Sequence, residues 1–159
     1  MTDEEWLTQA IELAEANVAA GGGPFGAVVA RDGDLVATGR NLVTATLDPS
    51  AHAEVVAIRA AGTAIGDFSL AGCSLFTSCE PCPMCLAASL WARLDRVVYA
   101  ADRDDAAAGG FDDRAFYDLF GLGPHSDTAG WPTRVEELRL PGCETPFEAW
   151  RAHADRTDY

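Results

Sequence analysis

Hydrophobic and polar positions divide the N-terminal part of the chain into one helical stretch and two shorter β-prone runs. Over residues 3–20 the apolar positions recur at helical spacing, with an acidic first turn before them and a glycine run after them. This pattern predicts a first helix. The runs at 25–30 and 35–38 are rich in strand-forming residues and are joined by Arg31-Asp32-Gly33-Asp34, which is typical of a hairpin.

The rest of the chain continues to alternate between helices and strands. The alanine-rich stretch 51–61 has good helix propensity and is followed by Gly62, so it predicts a second helix that stops there. A third strand at 74–78 leads through a segment rich in Cys and Pro into a third helix at 86–94. The remaining predicted elements are strands at 97–101 and 135–140 and helices at 114–120 and 147–154.

This order of elements favours an α/β fold, in which a sheet lies between two layers of helices as a three-layer α/β/α sandwich. A chain of 159 residues can bury one substantial core, and its content of 48% apolar and 23% charged residues is ordinary for a globular protein. No internal repeat or low-complexity segment interrupts the pattern. We therefore expect one domain over residues 1–159.

The charge balance argues against nucleic acid as a partner. The formal net charge is −14, so the average field around the molecule repels polyphosphate chains. A small neutral or weakly charged substrate is indifferent to that field, and the acidity also favours solubility. The charge itself does not identify a substrate.

The sequence predicts a cytoplasmic location and no membrane association. The first five residues are acidic where a secretory signal would be basic, and no apolar run approaches the roughly 18 residues that a membrane span requires. Of the five cysteines, three are crowded into 79–85. In a reducing compartment such clustering indicates metal binding or catalysis rather than disulfides. We expect Cys73 and Cys143 to be buried thiols.

A catalytic zinc site requires three protein ligands and one open position, and thiolate and imidazole are ligands that zinc prefers. Cys82 and Cys85 are three positions apart, which at a helix start places both sulfurs on one face. The helix N-terminus lowers the pKa of both thiols, so both can bind as thiolates. His52, at the start of the preceding helix, can supply the third ligand. We predict one zinc ion per chain at these residues.

Glu54 is the natural general acid and base of such a site. It lies two residues from His52, too far round the helix to join the same ligand set but near enough to reach a bound water. Zinc lowers the pKa of its bound water from about 15.7 to about 7. Glu54 would take the proton of that water and deliver it to a ring nitrogen and to the leaving amine.

Other interpretations of the same residues remain open. Cys79 begins a C-x-x-C-x-x-C run that resembles an iron–sulfur motif, but the fourth cysteine followed by proline is missing. A closed structural zinc site would need a fourth Cys or His nearby. Cys79 is then a buried thiol at the end of a strand. We interpret His125, in a loop rich in Gly and Pro, and His153, on the terminal helix, as solvated surface residues.

The combination H-x-E followed by P-C-x-x-C is the signature of zinc deaminases. At these residues the sequence resembles the cytidine deaminase superfamily and, within it, the bacterial guanine deaminases. The resemblance extends over nearly the whole chain. It is carried by Gly23-Pro24-Phe25-Gly26-Ala27-Val28, Asp48-Pro49, His52-Ala53-Glu54-Val55, Thr77-Ser78-Cys79-Glu80-Pro81-Cys82-Pro83-Met84-Cys85, Trp91-Ala92-Arg93, Gly110-Phe111-Asp112-Asp113, Pro146-Phe147-Glu148-Ala149-Trp150 and a final Tyr159.

This resemblance implies a five-stranded mixed sheet and a homodimer in which the C-terminal segment, residues 144–159, is exchanged between chains. It also implies that the substrate is a purine base, with guanine and water converted to xanthine and ammonia. Asp113 would contact the purine and help to move protons, as a second catalytic residue. The positions that it assigns to substrate binding are Asn41, Phe25, Ala53, Trp91 and Tyr159.

Some of these residues have structural interpretations that are equally open. Phe25 and Trp91 could be core residues, and Asp112 and Asp113 could cap the helix that starts at Arg114. Guanosine, cytosine or cytidine, and other amino-heterocycles such as triazines remain alternative substrates. A tRNA adenosine deaminase would need a cationic surface, which the net charge of −14 argues against.

The alternatives from other functional classes are a non-catalytic zinc-binding module and an acidic interaction protein. Glu54 separates a hydrolase from both, because a structural zinc site has no use for an unliganded carboxylate beside the metal.

Overall fold

In the computed structural model, which describes residues 1–124 and 128–159, five strands form one mixed sheet with the order β2-β1-β3-β4-β5. β1 pairs antiparallel with both β2 and β3, whereas β3, β4 and β5 run parallel to one another. The predicted five-stranded mixed sheet is confirmed. The strands are β1 (Gly26–Arg31), β2 (Asp34–Arg40), β3 (Cys73–Cys79), β4 (Arg96–Ala101) and β5 (Arg134–Glu137).

Helices cover both faces of this sheet. The helices are α1 (Asp3–Ala19), α2 (Val43–Thr46), α3 (Ala53–Ile65), α4 (Pro83–Trp91), α5 (Arg103–Ala108), α6 (Arg114–Leu119) and α7 (Thr145–Ala152). α1 packs on β1 and β3 and also contacts α7, whereas α3 packs on β1 and β2 and contacts α4. The three-layer α/β/α sandwich is thereby confirmed.

The core consists of two clusters, one on each side of the sheet, because side chains alternate along a strand. In β1, Val28 and Ala30 face the cluster that contains Trp6 and Leu7 of α1. Ala27 and Val29 face the other cluster, which the alanines of α3 complete. Strands that are buried on both faces read as nearly continuous apolar runs, which is why β1 was recognisable from sequence.

The second predicted helix was wrong at both ends. It begins at Ala53, because His52 is its extended N-cap residue, and it continues beyond Gly62 to Ile65. Gly62 has no left-handed backbone, whereas Gly66 has a φ of 77° and ends the helix. A glycine inside a helix costs stability but does not by itself end the helix, so the earlier glycine was a misleading stop signal.

The third predicted helix, 86–94, begins three residues too late and ends too far along. Pro83 is its first residue, a position that proline suits because no hydrogen-bond donor is needed there. The helix ends at Trp91, shortly before Arg93 adopts a φ of 61°. The short helices α2 and α5 were not predicted. β5 ends at Glu137, short of the predicted 140, and α7 begins at Thr145 and ends two residues before 154.

The described residues contain no helix with both the length and the apolar composition of a membrane span. Cys73 and Cys143 are buried free thiols, as the sequence predicted.

Candidate metal centre and catalytic cavity

The strand directions bring the predicted site residues to one edge of the sheet. β3 and β4 are parallel, and Cys79 at the end of β3 pairs with Ala101 at the end of β4. β1 is antiparallel to β3, so its first residue, Gly26, lies near the same edge and pairs with Arg40 at the end of β2. The segment that leads into Gly26 and the segments that follow Arg40 and Cys79 therefore meet at this edge. It is the edge at the carboxyl ends of the parallel strands, where open α/β sheets bind ligands.

His52, Cys82 and Cys85 form a compact triangle at this edge. His52 Nδ1 lies 3.6 Å from each of the two sulfurs, which are 3.6 Å from each other. Tetrahedral zinc with ordinary bond lengths would separate two sulfurs by about 3.8 Å and a sulfur from a nitrogen by about 3.6 Å. His52 and Cys82 are half-buried and Cys85 is buried. The donor set and its spacing fit a zinc ion with one position left open.

Two helix N-termini converge on this triangle. His52 is the N-cap residue of α3 and Cys82 is the N-cap residue of α4, with Cys85 in the first turn. The positive end of a helix dipole favours thiolate over thiol. The hydrogen bond from Cys85, together with that from His52, outweighs burial and lowers the pKa of the Cys82 thiol to about 4. The hydrogen bond with Cys82, together with burial, instead raises the pKa of the Cys85 thiol, so the prediction that the pKa of both thiols is lowered is wrong for Cys85.

Glu54 is buried in the first turn of α3, beside the metal triangle, with 5% of its surface exposed. The Thr77 hydroxyl donates a hydrogen bond of 3.3 Å to its Oε1. Burial raises the pKa of the Glu54 carboxyl, and the nearby His52 only partly opposes this effect. Such a carboxyl holds a proton more readily than an exposed one, which suits a group that accepts and then releases protons.

The close approach of α3 to the sheet explains how Glu54 reaches this position. A Cβ on Gly39 of β2 would overlap the backbone of Ala53 and Ala57. Only glycine allows the first turn of α3 to lie directly against the strand.

The metal triangle opens into a cavity of about 650 Å³, within the usual range for small-molecule sites. Four of the predicted residues besides His52, Glu54 and Cys82 line it. They are Phe25, Asn41, Asp113 and Tyr159.

Two of the predicted substrate-binding residues do not line this cavity. Ala53 is fully buried between His52 and Glu54, and its side chain belongs to the core cluster under α3. Trp91, at the far end of α4, is 80% exposed and points to neither cavity nor core. The alternative interpretation of Trp91 as a core residue is therefore wrong.

Asp113 lines the cavity, and the pKa of its carboxyl is unusually high. Burial and the nearby charge of Cys82 raise the pKa of its carboxyl to about 6. It occupies the N-cap position of α6 but makes no capping hydrogen bond with its side chain. The neighbouring Asp112 instead accepts from the Arg114 backbone and forms an ion pair with its guanidinium. The capping interpretation thus applies to Asp112, and Asp113 faces the cavity.

Asn41 is a polar residue with only 2% exposure, and its backbone and side chain are both held in place. Its backbone N–H donates to the Phe25 carbonyl, and its Oδ1 accepts from the Val43 N–H, both at 3.2 Å. These contacts fix the carboxamide at the cavity wall.

An aromatic cluster forms part of the cavity wall. Phe111 is at its centre, with ring centroids 5.0 Å from Phe25, 5.3 Å from Trp150 and 5.4 Å from Tyr159. The C-terminal Tyr159 thus closes on the cavity of its own chain in this structure. Burial raises the pKa of its phenol, so the hydroxyl stays neutral and can donate a hydrogen bond.

A buried ion pair whose two residues also line the cavity was missed in the sequence. Arg103 Nη2 lies 2.6 Å from Oε1 of Glu80, whose side chain is fully buried. The guanidinium also lies 3.7 Å from the centre of the Tyr117 ring, and the Tyr117 hydroxyl donates to the carbonyls of Glu80 and Pro81. This network fixes the two residues that precede Cys82. The charged residues Asp102-Arg103, which follow the apolar run of β4, were the available signal.

The other cysteines and histidines lie outside the triangle. Cys79 is a buried thiol at the end of β3 and contacts the Asp102 carbonyl, as predicted. His153 is a half-buried residue at the end of α7, so it is less solvated than expected. His125 lies outside the described residues.

Comparison with known proteins identifies this arrangement. Residues 1–101 match the family described as the cytidine and deoxycytidylate deaminase zinc-binding region. The chain belongs to this deaminase family. The matched residues include His52, Glu54, Cys82 and Cys85, so the zinc-binding character of the family and the metal triangle of the structure agree.

Individual deaminases resemble the chain over its whole length. Guanine deaminase of Bacillus subtilis is 46% identical over 160 residues, which cover all of both chains. The crystal structure of guanine deaminase from the same organism has a TM-score of 0.74 at 45% identity and covers 100% of this chain and 99% of that one. A protein crystallised in complex with 2,6-diaminopurine has a TM-score of 0.78 at 31% identity, over 96% of this chain and 81% of that chain.

Proposed function

We propose that this deaminase hydrolyses guanine to xanthine and ammonia. The observation that supports a hydrolytic function most strongly is a buried carboxylate, Glu54, beside a three-ligand metal triangle that opens into a small-molecule cavity. Guanine is favoured as the substrate because the similarity to a guanine deaminase extends over the full chain, including the C-terminal residues that line the cavity.

His52, Cys82 and Cys85 are the residues that would hold the zinc ion. Bound there, zinc supplies the Lewis acidity that activates water for attack. The chain itself contributes two thiolates and an imidazole, whose total charge balances that of the ion and leaves the site open to a neutral base.

Glu54 moves the protons of the reaction in this proposal. It accepts one proton from the attacking water as the oxygen bonds to the carbon that carries the amino group. It gives that proton to the adjacent ring nitrogen. It then transfers the second proton of the original water to the amino group, the carbon–nitrogen bond breaks, and ammonia leaves. The carbon keeps the oxygen as a carbonyl, which gives xanthine.

The cavity residues would orient the base for this attack. Asn41 presents a fixed carboxamide to a polar edge of the purine, and Asp113, with its raised pKa, contacts a ring nitrogen and assists proton movement. Phe25 and Tyr159, which belong to the aromatic cluster, would pack against the flat ring of the base. Ala53 and Trp91 do not line the cavity, so we do not include them among these contacts.

The protein acts as a cytoplasmic homodimer in this proposal, with residues 144–159 exchanged between the chains. Five free cysteines fit a reducing compartment. Large side chains near the cavity side of the molecule are strongly exposed in the isolated chain, which is typical of an interface. They include Phe116, Leu119 and Phe120, with exposures of 58–78%. Exchange would preserve the contacts of α7 and Tyr159 while supplying them from the partner.

A panel of substrates tests the proposed function. Zinc-loaded protein is incubated with guanine, guanosine, cytosine, cytidine and adenine, and ammonia and the deaminated product are measured together. We expect guanine to have the highest kcat/KM, with xanthine and ammonia formed in equal amounts. A higher kcat/KM for guanosine or for a pyrimidine would refute the substrate and leave the chemistry intact. Release of no ammonia from any of the five would refute the deaminase function.

A further inference from the structure

Asn17 is a buried polar residue on the inner side of α1 that no part of the proposed mechanism uses. It is 3% exposed and lies among apolar neighbours of the same helix, such as Ala14 and Val18. A buried carboxamide without partners is costly, so its partners show what it stabilises.

Both hydrogens of the Asn17 side-chain amide are used, and they connect two separate segments of the cavity wall. Nδ2 donates to the Gly23 carbonyl at 2.8 Å and to the Asn41 carbonyl at 2.9 Å. The backbone carbonyl of Asn17 accepts from the Gly22 N–H at 2.8 Å. An amide nitrogen is a neutral group that carries two hydrogens at one atom, and at this side-chain length only asparagine provides it.

One of the two segments carries a cavity residue, and the other contacts one. The carbonyl held on one side belongs to Asn41 itself, whose side chain lines the cavity. The carbonyl held on the other side belongs to Gly23, and a Cβ on Gly23 would overlap the Tyr159 hydroxyl. Gly23 is thus the surface against which the terminal tyrosine rests. One side chain thereby sets the spacing between Asn41 and the place that Tyr159 occupies.

We propose that Asn17 is a positioning residue for substrate binding, which holds Asn41 and the Tyr159 contact surface in register around the base. This inference rests on the proposed function, since it assumes that Asn41 and Tyr159 contact the substrate. Asn17 touches neither the metal triangle nor Glu54 in the described contacts, so its loss affects binding of the base more than the chemical step.

Asn17→Asp tests this role with almost no change in shape. The variant replaces a two-hydrogen donor with an acceptor that faces two carbonyl oxygens, so both connections are lost. We expect KM for guanine to rise by about tenfold or more while kcat stays within about threefold and zinc content is unchanged, since a lost orientation weakens binding. Asn17→Ala serves the same purpose if the aspartate variant does not fold.

Thr133→Val is the matched control. The Thr133 hydroxyl is also a buried donor to a backbone carbonyl, that of Leu94 at 2.7 Å, but it lies outside the cavity. Its loss should reduce the free energy of unfolding and leave KM unchanged. An unchanged KM in a folded Asn17 variant, or equal changes in KM for both positions, would overturn the proposal. If the unaltered, zinc-loaded protein does not convert guanine, the proposed function fails first and this inference fails with it.

Discussion

The charge state of Glu54 is coupled to the metal-binding side chains beside it. Burial raises the pKa of the Glu54 carboxyl, and the nearby charge of Cys82 adds to this effect, so a cation nearby would stabilise the charged carboxylate. The same proximity makes the carboxylate an efficient proton carrier, because it does not have to move to reach the reacting atoms.

Replacement of Glu54 by glutamine separates proton transfer from metal binding. The amide has nearly the same shape but cannot accept the proton of the attacking water, so we expect guanine turnover to fall by about a hundredfold or more. Zinc content, measured by atomic absorption, should remain at one ion per chain. Glu12→Gln, on the exposed side of α1, is the control and should keep full turnover. Near-normal turnover of a zinc-loaded Glu54→Gln would remove Glu54 from the mechanism.

The three clustered cysteines provide a matched test of the ligand assignment. We expect Cys82→Ser and Cys85→Ser to lose zinc and activity together, because an open site has no spare ligand. Cys79→Ser should keep both, since its sulfur contacts the Asp102 carbonyl outside the triangle. Metal content and visible spectra are measured for all three. Full zinc occupancy in the Cys82 or Cys85 variants, or an iron–sulfur absorption in the unaltered protein, contradicts the assignment.

The segment that leads from β3 into α4 carries two of the ligands, and residues of α5 and α6 stabilise it by an ion pair and hydrogen bonds. Arg103, the first residue of α5, forms the ion pair with Glu80. The Tyr117 hydroxyl of α6 donates to the carbonyls of Glu80 and Pro81. Helices that are each only six residues long would be marginal alone, so these contacts stabilise the helices as well as the metal-binding segment.

Arg103→Met should therefore destabilise the protein strongly. It leaves the fully buried Glu80 carboxylate without its main cationic partner, which typically costs about 3–5 kcal/mol of unfolding free energy. Urea denaturation measures the change. Adding Glu80→Gln to Arg103→Met should recover part of the loss. Arg114→Met, which breaks two exposed pairs, should change the urea midpoint little. Equal midpoints for Arg103→Met and Arg114→Met would contradict this account.

Sequence patterns were most informative where the structure is determined by neighbouring residues. The five strands and the metal triangle follow from apolar runs and from the spacing of His52, Cys82 and Cys85 around helix starts. α2 escaped prediction because it has only four residues, and α5 escaped because its sequence, Arg-Asp-Asp-Ala-Ala-Ala, has no large apolar residue to mark a buried face. The equally short α6 was predicted because it carries Phe116, Tyr117 and Leu119. Asn17 and Arg103 escaped because their partners are set by packing, and nothing local distinguishes a buried asparagine from an exposed one.

In the proposed homodimer, the quaternary arrangement would determine which chain covers each cavity. Tyr159 closes on its own chain here through Phe111 and Trp150, and the exchange of residues 144–159 would create the same contacts between two chains. The turn at Gly142, with a φ of 80°, precedes α7 and is the natural place for the chain to change direction.

A mixed dimer distinguishes the two arrangements. One chain carries Tyr159→Ala and the other Glu54→Gln, and the heterodimer is isolated with two different affinity tags. If the tail is exchanged, one of the two cavities has both an intact Glu54 and an intact Tyr159, so we expect about half of the unaltered activity. Both parental homodimers should be much less active. A heterodimer no more active than its parents would show that each tail serves its own chain.

Zinc titration of metal-free protein tests the central claim most directly. The chain is stripped with a chelator under reducing conditions, zinc is added back in steps, and conversion of guanine to xanthine is followed by absorbance. We predict no turnover without metal, a linear rise, and a plateau at one zinc per chain, because His52, Cys82 and Cys85 form one three-ligand site. Full turnover in the metal-free protein, or no xanthine at zinc saturation, would contradict the account.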